Sequence, residues 1–255
     1  MIRKHIFKDK AQPRSIRWRL HEPTRLEAFS DAVFAFALTL VVIALEVPET
    51  FEALLHLMRG FAGFAICFVL VVLIWHEQYA FFRRFGLQDT RTHVYNLMLL
   101  FMVILLVYPL KFLFYSFVEG FTNERFKSIN EICELMIIYG VCYFIIYVLF
   151  LLMYLHALKK KEEIALSRLE QYNTRTYMYT YIGRLIVIIF SLFLAIYGID
   201  RGGSWSFYSG VSYSLFGLAI GVVQARRGKK IKHLFSQEEI DEVMNEVVII
   251  EEKEM

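Results

Sequence analysis

The residues best suited to specialised chemistry are an arginine, a serine and an aspartate at the start of a long apolar stretch. The stretch runs from Arg25 to Pro48 as RLEAFSDAVFAFALTLVVIALEVP. Ionisable side chains within a membrane are energetically costly, which makes Asp31 a functional candidate. Because its side chain is short, we expect it to find polar partners close by on neighbouring helices. The nearest candidates are Ser30, Arg25, Gln78 and Asn96.

Catalytic chemistry has no comparable support in the sequence. Four histidines stand near the ends of apolar runs, and no pair has the spacing of metal ligands on one helix: His56, His76, His93 and His156. The sequence contains no nucleophile motif and no glycine-rich phosphate loop. We therefore predict that the chain is not an enzyme, and that it has no cofactor, no structural metal and no small-molecule substrate.

Hydropathy places the chain in a membrane. Hydrophobic residues make up 57% of the sequence and the mean hydropathy is +0.47, more than the core of a soluble domain requires. Backbone groups in hydrocarbon must pair within a helix, and a span needs about 20 residues. We predict an all-α membrane protein with six transmembrane helices per subunit, at about 25–48, 53–75, 94–117, 132–155, 177–199 and 205–224.

Lysine and arginine concentrate on one side of the predicted helices. Most of the 28 basic residues lie in the N-terminal arm, in the 76–93 and 156–176 loops and in the C-terminal tail. The positive-inside bias then places both termini and these loops in the cytoplasm of a multi-pass cell-membrane protein. The chain divides into a basic arm at 1–24, a six-helix domain at 25–225 and a tail with a short amphipathic helix at 226–255. We interpret the net charge of +3 as a consequence of this topology, not as nucleic-acid binding.

The side chains of the first span separate into two faces at helical spacing. One face is apolar, and beside it runs a narrow face of small residues. Small residues let the backbone of a second membrane helix approach closely. The apolar face contains Phe29, Val33, Phe36, Leu40, Ile43 and Val47, and the small face contains Ala28, Ala32, Ala35 and Thr39.

The start of this span resembles the TMEM175 family of potassium-permeable channels. Its signature, R-x-x-x-F-S-D, is matched by Arg25, Phe29, Ser30 and Asp31. The resemblance extends over residues 20–225, although Gln78 stands where relatives commonly have a histidine. The later landmarks are Trp75, Phe82, Asp89, Asn96 with Leu97, and Pro109.

The resemblance implies a homotetramer in a prokaryotic inner membrane, with a central pore lined by the first helix of each of four subunits. In such a pore, Phe36, Leu40 and Ile43 form a hydrophobic constriction. Thr39 guides or coordinates a partly hydrated potassium ion, and Glu46 lies at the external mouth. A structural polar network at the cytoplasmic end consists of Arg25, Phe29, Ser30, Asp31, Gln78 and Asn96.

These features together predict a passive, potassium-favouring cation channel that is gated by wetting and drying of the constriction. The partners we expect are other copies of the chain and the lipid bilayer. Two alternatives stay open. A secondary transporter would need a binding site near the midplane, often between internal repeats, and a non-conducting membrane scaffold would use the apolar face purely for packing.

Overall fold

The computed structural model describes residues 23–43, 49–119, 126, 128–199, 201 and 204–234. Regular structure in this part of the chain is entirely helical, which confirms the predicted fold class at that level. The helices are α1 (Arg25–Ile43), α2 (Phe51–Phe85), α3 (Thr90–Glu119), α4 (Ile129–Lys159), α5 (Arg168–Gly198), α6 (Ser204–Ser212) and α7 (Leu215–Leu234).

Five described helical stretches are long and apolar enough to cross a membrane. They are Gly63–Phe85, Thr90–Leu113, Asn130–Lys159, Arg168–Gly198 and Trp205–Arg227. These stretches correspond to the second to sixth predicted spans. The helix α1, which begins the first predicted span, is not among them, so the count of six crossings stays a prediction.

Several predicted spans have different boundaries in the structure. The helix α5, for example, begins at Arg168, whereas the fifth span was predicted to begin at about 177. The helix α2 extends well beyond the predicted end of its span because Phe81 and Phe82 are fully buried and still pack against the bundle. The sixth span is interrupted between α6 and α7. There the amides of Tyr213 and Ser214 bond to carbonyl groups three residues earlier, which tightens the turn.

Polar caps determine where several helices begin and end. Before α1, the amide of Thr24 donates to Glu27 Oε2 (2.8 Å) and the amide of Glu27 donates to Thr24 Oγ1 (3.2 Å), which is a reciprocal capping box. Ser167 and Glu170 form the same arrangement before α5. Gly86 ends α2 with a φ of 59°, a left-handed conformation that glycine adopts at little cost.

The helices pack in an order that leaves α1 at one edge of the bundle. The helix α1 packs mainly on α2 and α3, α4 packs on α3 and α5, and α6 and α7 pack on α5. Aromatic rings fill much of the core between α4 and α5. Phe150 and Tyr181 stack with their ring centroids 5.6 Å apart, and Tyr154 is buried beside them. Among the described helices, α1 is therefore supported mainly by α2 and α3, on one of its sides.

The predictions for the two ends of the chain fall largely outside the described residues. Residues 1–22 hold almost all of the predicted basic arm, and residues 235–255 hold the amphipathic helix predicted for the tail. The helix α7 continues to Leu234, so the domain boundary predicted at 225 falls inside a helix.

Candidate functional site

The helix α1 buries one face and leaves the other uncovered. Ser30, Phe34 and Ala37 are almost fully buried against the rest of the subunit. On the other side, Phe29 is 52% exposed and Phe36 is 54% exposed. The predicted small face is exposed as well: Ala28, Ala32, Ala35 and Thr39. Among the described residues of the predicted pore-lining face, Phe29 and Phe36 are thus the ones left largely uncovered within one subunit.

The predicted apolar face is not equally exposed along its length. Val33 and Leu40 are half-buried and pack against the core, because they lie at the border between the two faces. Phe36 projects furthest from the subunit among the described members of that face after position 30. The side chain of Ile43 and the residues Glu46 and Val47 lie outside the described part of the structure.

Three polar side chains from three helices form a buried hydrogen-bonded chain. Gln78 Nε2 on α2 donates to Asn96 Oδ1 on α3 (3.0 Å), and Asn96 Nδ2 donates to Ser30 Oγ on α1 (2.8 Å). Ser30 Oγ then donates to the carbonyl oxygen of Leu26 (2.7 Å). All three side chains are at most 1% exposed. The structure therefore brings together Ser30, Gln78 and Asn96, which the sequence analysis had grouped as candidate partners of Asp31.

Asp31 lies outside this chain and has a different partner from those expected. Its Oδ1 accepts a hydrogen bond from Trp75 Nε1 (2.7 Å) at an exposed position. Successive helical residues are rotated by about 100°, so Asp31 cannot share the buried direction of Ser30. Arg25 is exposed on α1, and the structure gives neither Arg25 nor Phe29 a place in the polar network.

The sequence interpretation did not identify a buried ion pair next to this network. Arg184 Nη1 on α5 donates to Glu77 Oε1 on α2, and the two side chains are 12% and 22% exposed. The guanidinium of Arg184 also lies over the rings of Tyr147 (4.9 Å) and Tyr181 (5.6 Å). A cation within an apolar span needs an acidic partner, and this need was the available signal that pointed from Arg184 to an acid.

One turn of α2 consequently contacts three other helices. Trp75 bonds to α1, Glu77 to α5 and Gln78 to α3. Since the described helices that pack on α1 are mainly α2 and α3, this turn of α2 links α1 to the rest of the bundle. It therefore positions the face of α1 that carries Phe29 and Phe36.

A second ionic contact joins the α2–α3 turn to the end of α4. Asp89 accepts hydrogen bonds from Thr92 Oγ1 (2.7 Å) and pairs with His156 Nε2 (2.8 Å). Partial burial by itself raises the pKa of Asp89, but these hydrogen bonds and the nearby charges of His156 and Lys160 outweigh it and hold that pKa below its usual value. The contact therefore stabilises the ionised form of Asp89.

Asp89→Asn is expected to destabilise the protein at neutral pH, by less than about 1 kcal/mol because Asp89 is partly exposed. A lowered pKa in the folded state gives stability that is present above the unfolded value of about 3.9 and is lost as pH falls through the folded value. Melting temperatures of the two proteins should thus differ above about pH 5 and converge as the pH falls below the unfolded value of about 3.9 and through the lowered folded value. A difference that stays constant to the lowest pH would contradict this role.

The fold and this site define a multi-pass helical membrane protein whose first helix keeps one face open. Within the described residues, no group of three His, Cys, Asp or Glu side chains is placed to hold a metal ion. The family model described as endosomal/lysosomal potassium channel TMEM175 matches residues 25–109. A protein of Marivirga tractuosa named potassium channel is 37% identical over 212 residues, covering 78% of this chain and 85% of that protein. The chain belongs to the TMEM175 family.

Further relatives agree with this assignment. The crystal structure of a variant of the potassium channel MtTMEM175, in complex with a nanobody fusion protein, superposes with a TM-score of 0.74. It is 33% identical, and the match covers 86% of this chain and 99% of that one. A potassium channel of Chamaesiphon minutus is 30% identical over 96 residues, covering 34% of this chain and 47% of that protein. The resemblance predicted from the R-x-x-x-F-S-D signature is confirmed, and the family is one of ion channels, a class distinct from enzymes.

Proposed function

We propose that the chain is one subunit of a passive, potassium-favouring channel in which the first helices of four copies surround a central pore. The observation that carries this proposal is the uncovered face of α1, with Phe36 more than half exposed. Relatives named potassium channels supply the permeant ion. The proposed pore lies in the cell membrane, with both termini in the cytoplasm.

The uncovered face of α1 suits contact with further copies of α1 better than contact with lipid. Ala28, Ala32 and Ala35 recur at helical spacing and would allow another helix to approach closely. Ser30, on the opposite side of α1, is fixed by Asn96, so the helix cannot easily rotate to bury this face within the subunit.

The proposed constriction combines apolar rings with one oxygen ligand per subunit. Phe36, Leu40 and Ile43 would form narrow apolar rings that exclude water when the pore is closed. Thr39 Oγ1 donates to the carbonyl oxygen of Phe36 (2.7 Å). That bond uses the only hydroxyl proton, so the oxygen lone pairs stay available to a cation. Glu46 is the proposed acidic group at the external mouth.

The polar contacts at the other end of α1 have a structural role in this proposal. The Ser30, Asn96 and Gln78 chain and the Asp31 to Trp75 hydrogen bond would hold the cytoplasmic end of each pore helix. No cofactor takes part, and potassium is only the permeant ion.

Phe36→Ala is expected to raise potassium flux by about tenfold, a barrier change of about 1.4 kcal/mol. Removing the ring widens the apolar constriction and makes it easier to wet. The measurement is potassium and sodium flux into liposomes that contain the purified protein. Phe101→Ala is the matched control, because Phe101 is a similarly exposed phenylalanine on α3 and should leave flux unchanged.

The same liposomes distinguish the alternatives. Equal effects of the two phenylalanine variants would contradict a constriction at Phe36. Saturable uptake coupled to a second gradient would identify a secondary transporter. A protein that is folded and oligomeric, but shows no ion flux at any ionic gradient or voltage applied, would instead be a scaffold.

A further inference from the structure

The helix α7 presents one exposed face that changes from apolar to basic along its length. Every fourth residue lies on this face, and all four are exposed: Leu218, Val222, Arg226 and Lys230. The change occurs where the apolar stretch Trp205–Arg227 ends. Apolar and cationic groups therefore follow one another on a single helical surface at the membrane boundary.

The neighbouring helix α5 also carries basic and apolar exposed residues in succession, but along the chain the basic residues come first. Arg168 and Arg175 are exposed near its start, followed by the exposed side chains of Tyr179, Ile182 and Ile186. Because α5 begins where α7 ends, the basic parts of both helices lie at the same end of the bundle. We refer to Arg168, Arg175, Arg226 and Lys230 as the α5–α7 basic surface.

Arg227 fixes the two helices relative to each other at this level. Its guanidinium lies 4.5 Å from the ring centroids of both Tyr172 and Tyr179 on α5. The hydroxyl of Tyr172 also donates to the backbone carbonyl of Arg227 (3.2 Å). Stacking of a guanidinium on two rings is a substantial cation–π contact. The basic surface is consequently preorganised across two helices.

Among the described residues, no acidic side chain forms an ion pair with this surface. The helix α7 contains no acidic residue, and Glu170, the acid in the first turns of α5, is buried in its capping box. In the turn before α5, Glu163 accepts a hydrogen bond from Lys160. None of the four cations of the α5–α7 basic surface forms an ion pair with another described residue.

We propose that the α5–α7 basic surface binds an anionic phospholipid of the surrounding bilayer. The phosphodiester headgroup would lie among the four cations, and an acyl chain would lie along Leu218, Val222 and Ile186. A lipid fits better than a soluble anion because the apolar and basic parts are continuous on the same helix faces. Basic clusters next to a transmembrane helix attract anionic lipids by electrostatics, and here the stacking of Arg227 on Tyr172 and Tyr179 joins the two helices that carry the cluster.

The test compares binding of phosphatidylglycerol and phosphatidylcholine to the delipidated oligomer by native mass spectrometry. The wild type is expected to prefer phosphatidylglycerol. Arg226→Gln with Lys230→Gln should weaken the binding of that lipid by about fivefold per charge, or roughly twenty-fivefold for the pair. The matched control is Lys159→Gln with Lys161→Gln, which removes two exposed charges at the end of α4 that do not belong to the α5–α7 basic surface. The control should retain the wild-type preference.

Several results would overturn the proposal. Equal losses in both variants would indicate diffuse attraction without a site, as would equal retention of the two lipids by the wild type. Competition by free glycerol phosphate at the same concentration as the lipid would indicate a soluble anion. A changed oligomeric mass of the Arg226→Gln, Lys230→Gln protein, with unchanged lipid retention, would show that a second subunit occupies this surface. Ion flux does not enter the readout, so this result is independent of the proposed channel activity.

Discussion

Arg184→Met alone is expected to lower the free energy of unfolding by about 3–5 kcal/mol. The substitution leaves the largely buried carboxylate of Glu77 without its cationic partner in an apolar span. It also removes the guanidinium from the rings of Tyr147 and Tyr181. The free energy of unfolding is measured by denaturant titration of the purified protein in detergent, and the melting temperature is measured in the same detergent.

A double-mutant cycle separates the ion pair from the loss of packing. Glu77→Met should lower the free energy of unfolding by about as much as Arg184→Met. The double variant should recover much of that loss of stability, because neither charge is left buried alone. Arg201→Met is a matched control: Arg201 is exposed and lies 4.0 Å over the ring of Tyr197 at the far end of α5. Additive losses in the double variant would contradict coupling between the two charges.

The sequence predicted the helical architecture well because length and hydropathy decide it in a membrane. It did not predict the end of α2, since a helix need not end at the hydrocarbon boundary. Beyond that boundary, Phe81 and Phe82 of α2 are still buried in the core. The break between α6 and α7 was missed for another reason. Neither Tyr213 nor Ser214 is a residue type that usually interrupts a helix.

Residue type and position grouped three of the six residues predicted for the polar network, but they did not give the pairing. A buried polar group needs a partner, so Ser30, Gln78 and Asn96 could be grouped from residue type and position. Which of them pair depends on the rotation and relative depth of three helices, and sequence periodicity does not determine either. Asp31 therefore received the wrong partners. The Glu77 to Arg184 pair joins residues 107 positions apart, and local pattern gives no information at that distance.

On α1, the sequence did not show which apolar side chains the subunit buries. The apolar face looked uniform in sequence, yet Phe34 on the other side is the phenylalanine that the subunit buries. Both Phe34 and Phe36 are apolar, and only the positions of α2 and α3 distinguish them. The open face is thus a result of tertiary structure that composition alone could not assign.

Asn96→Leu is expected to cost about 2–4 kcal/mol, because it leaves Gln78 Nε2 without its acceptor and Ser30 Oγ without its donor. These groups are buried, so water cannot replace the lost bonds. Since Asn96 is the contact that fixes α1 to α3 at this level, we expect the proposed tetramer to dissociate more readily as well. Unfolding and the mass of the oligomer in detergent measure the two effects.

The Gln78→Leu, Asn96→Leu double variant is the decisive companion, because Ser30 keeps its own bond to the carbonyl of Leu26. With both amides gone, no buried amide donor is left unsatisfied, and stability should partly recover. Ion preference should be unchanged in whatever fraction still assembles, since the proposed constriction begins at Phe36, more than one helical turn beyond Ser30. A fully assembled Asn96→Leu protein with an altered potassium to sodium ratio would contradict a purely structural role for this network.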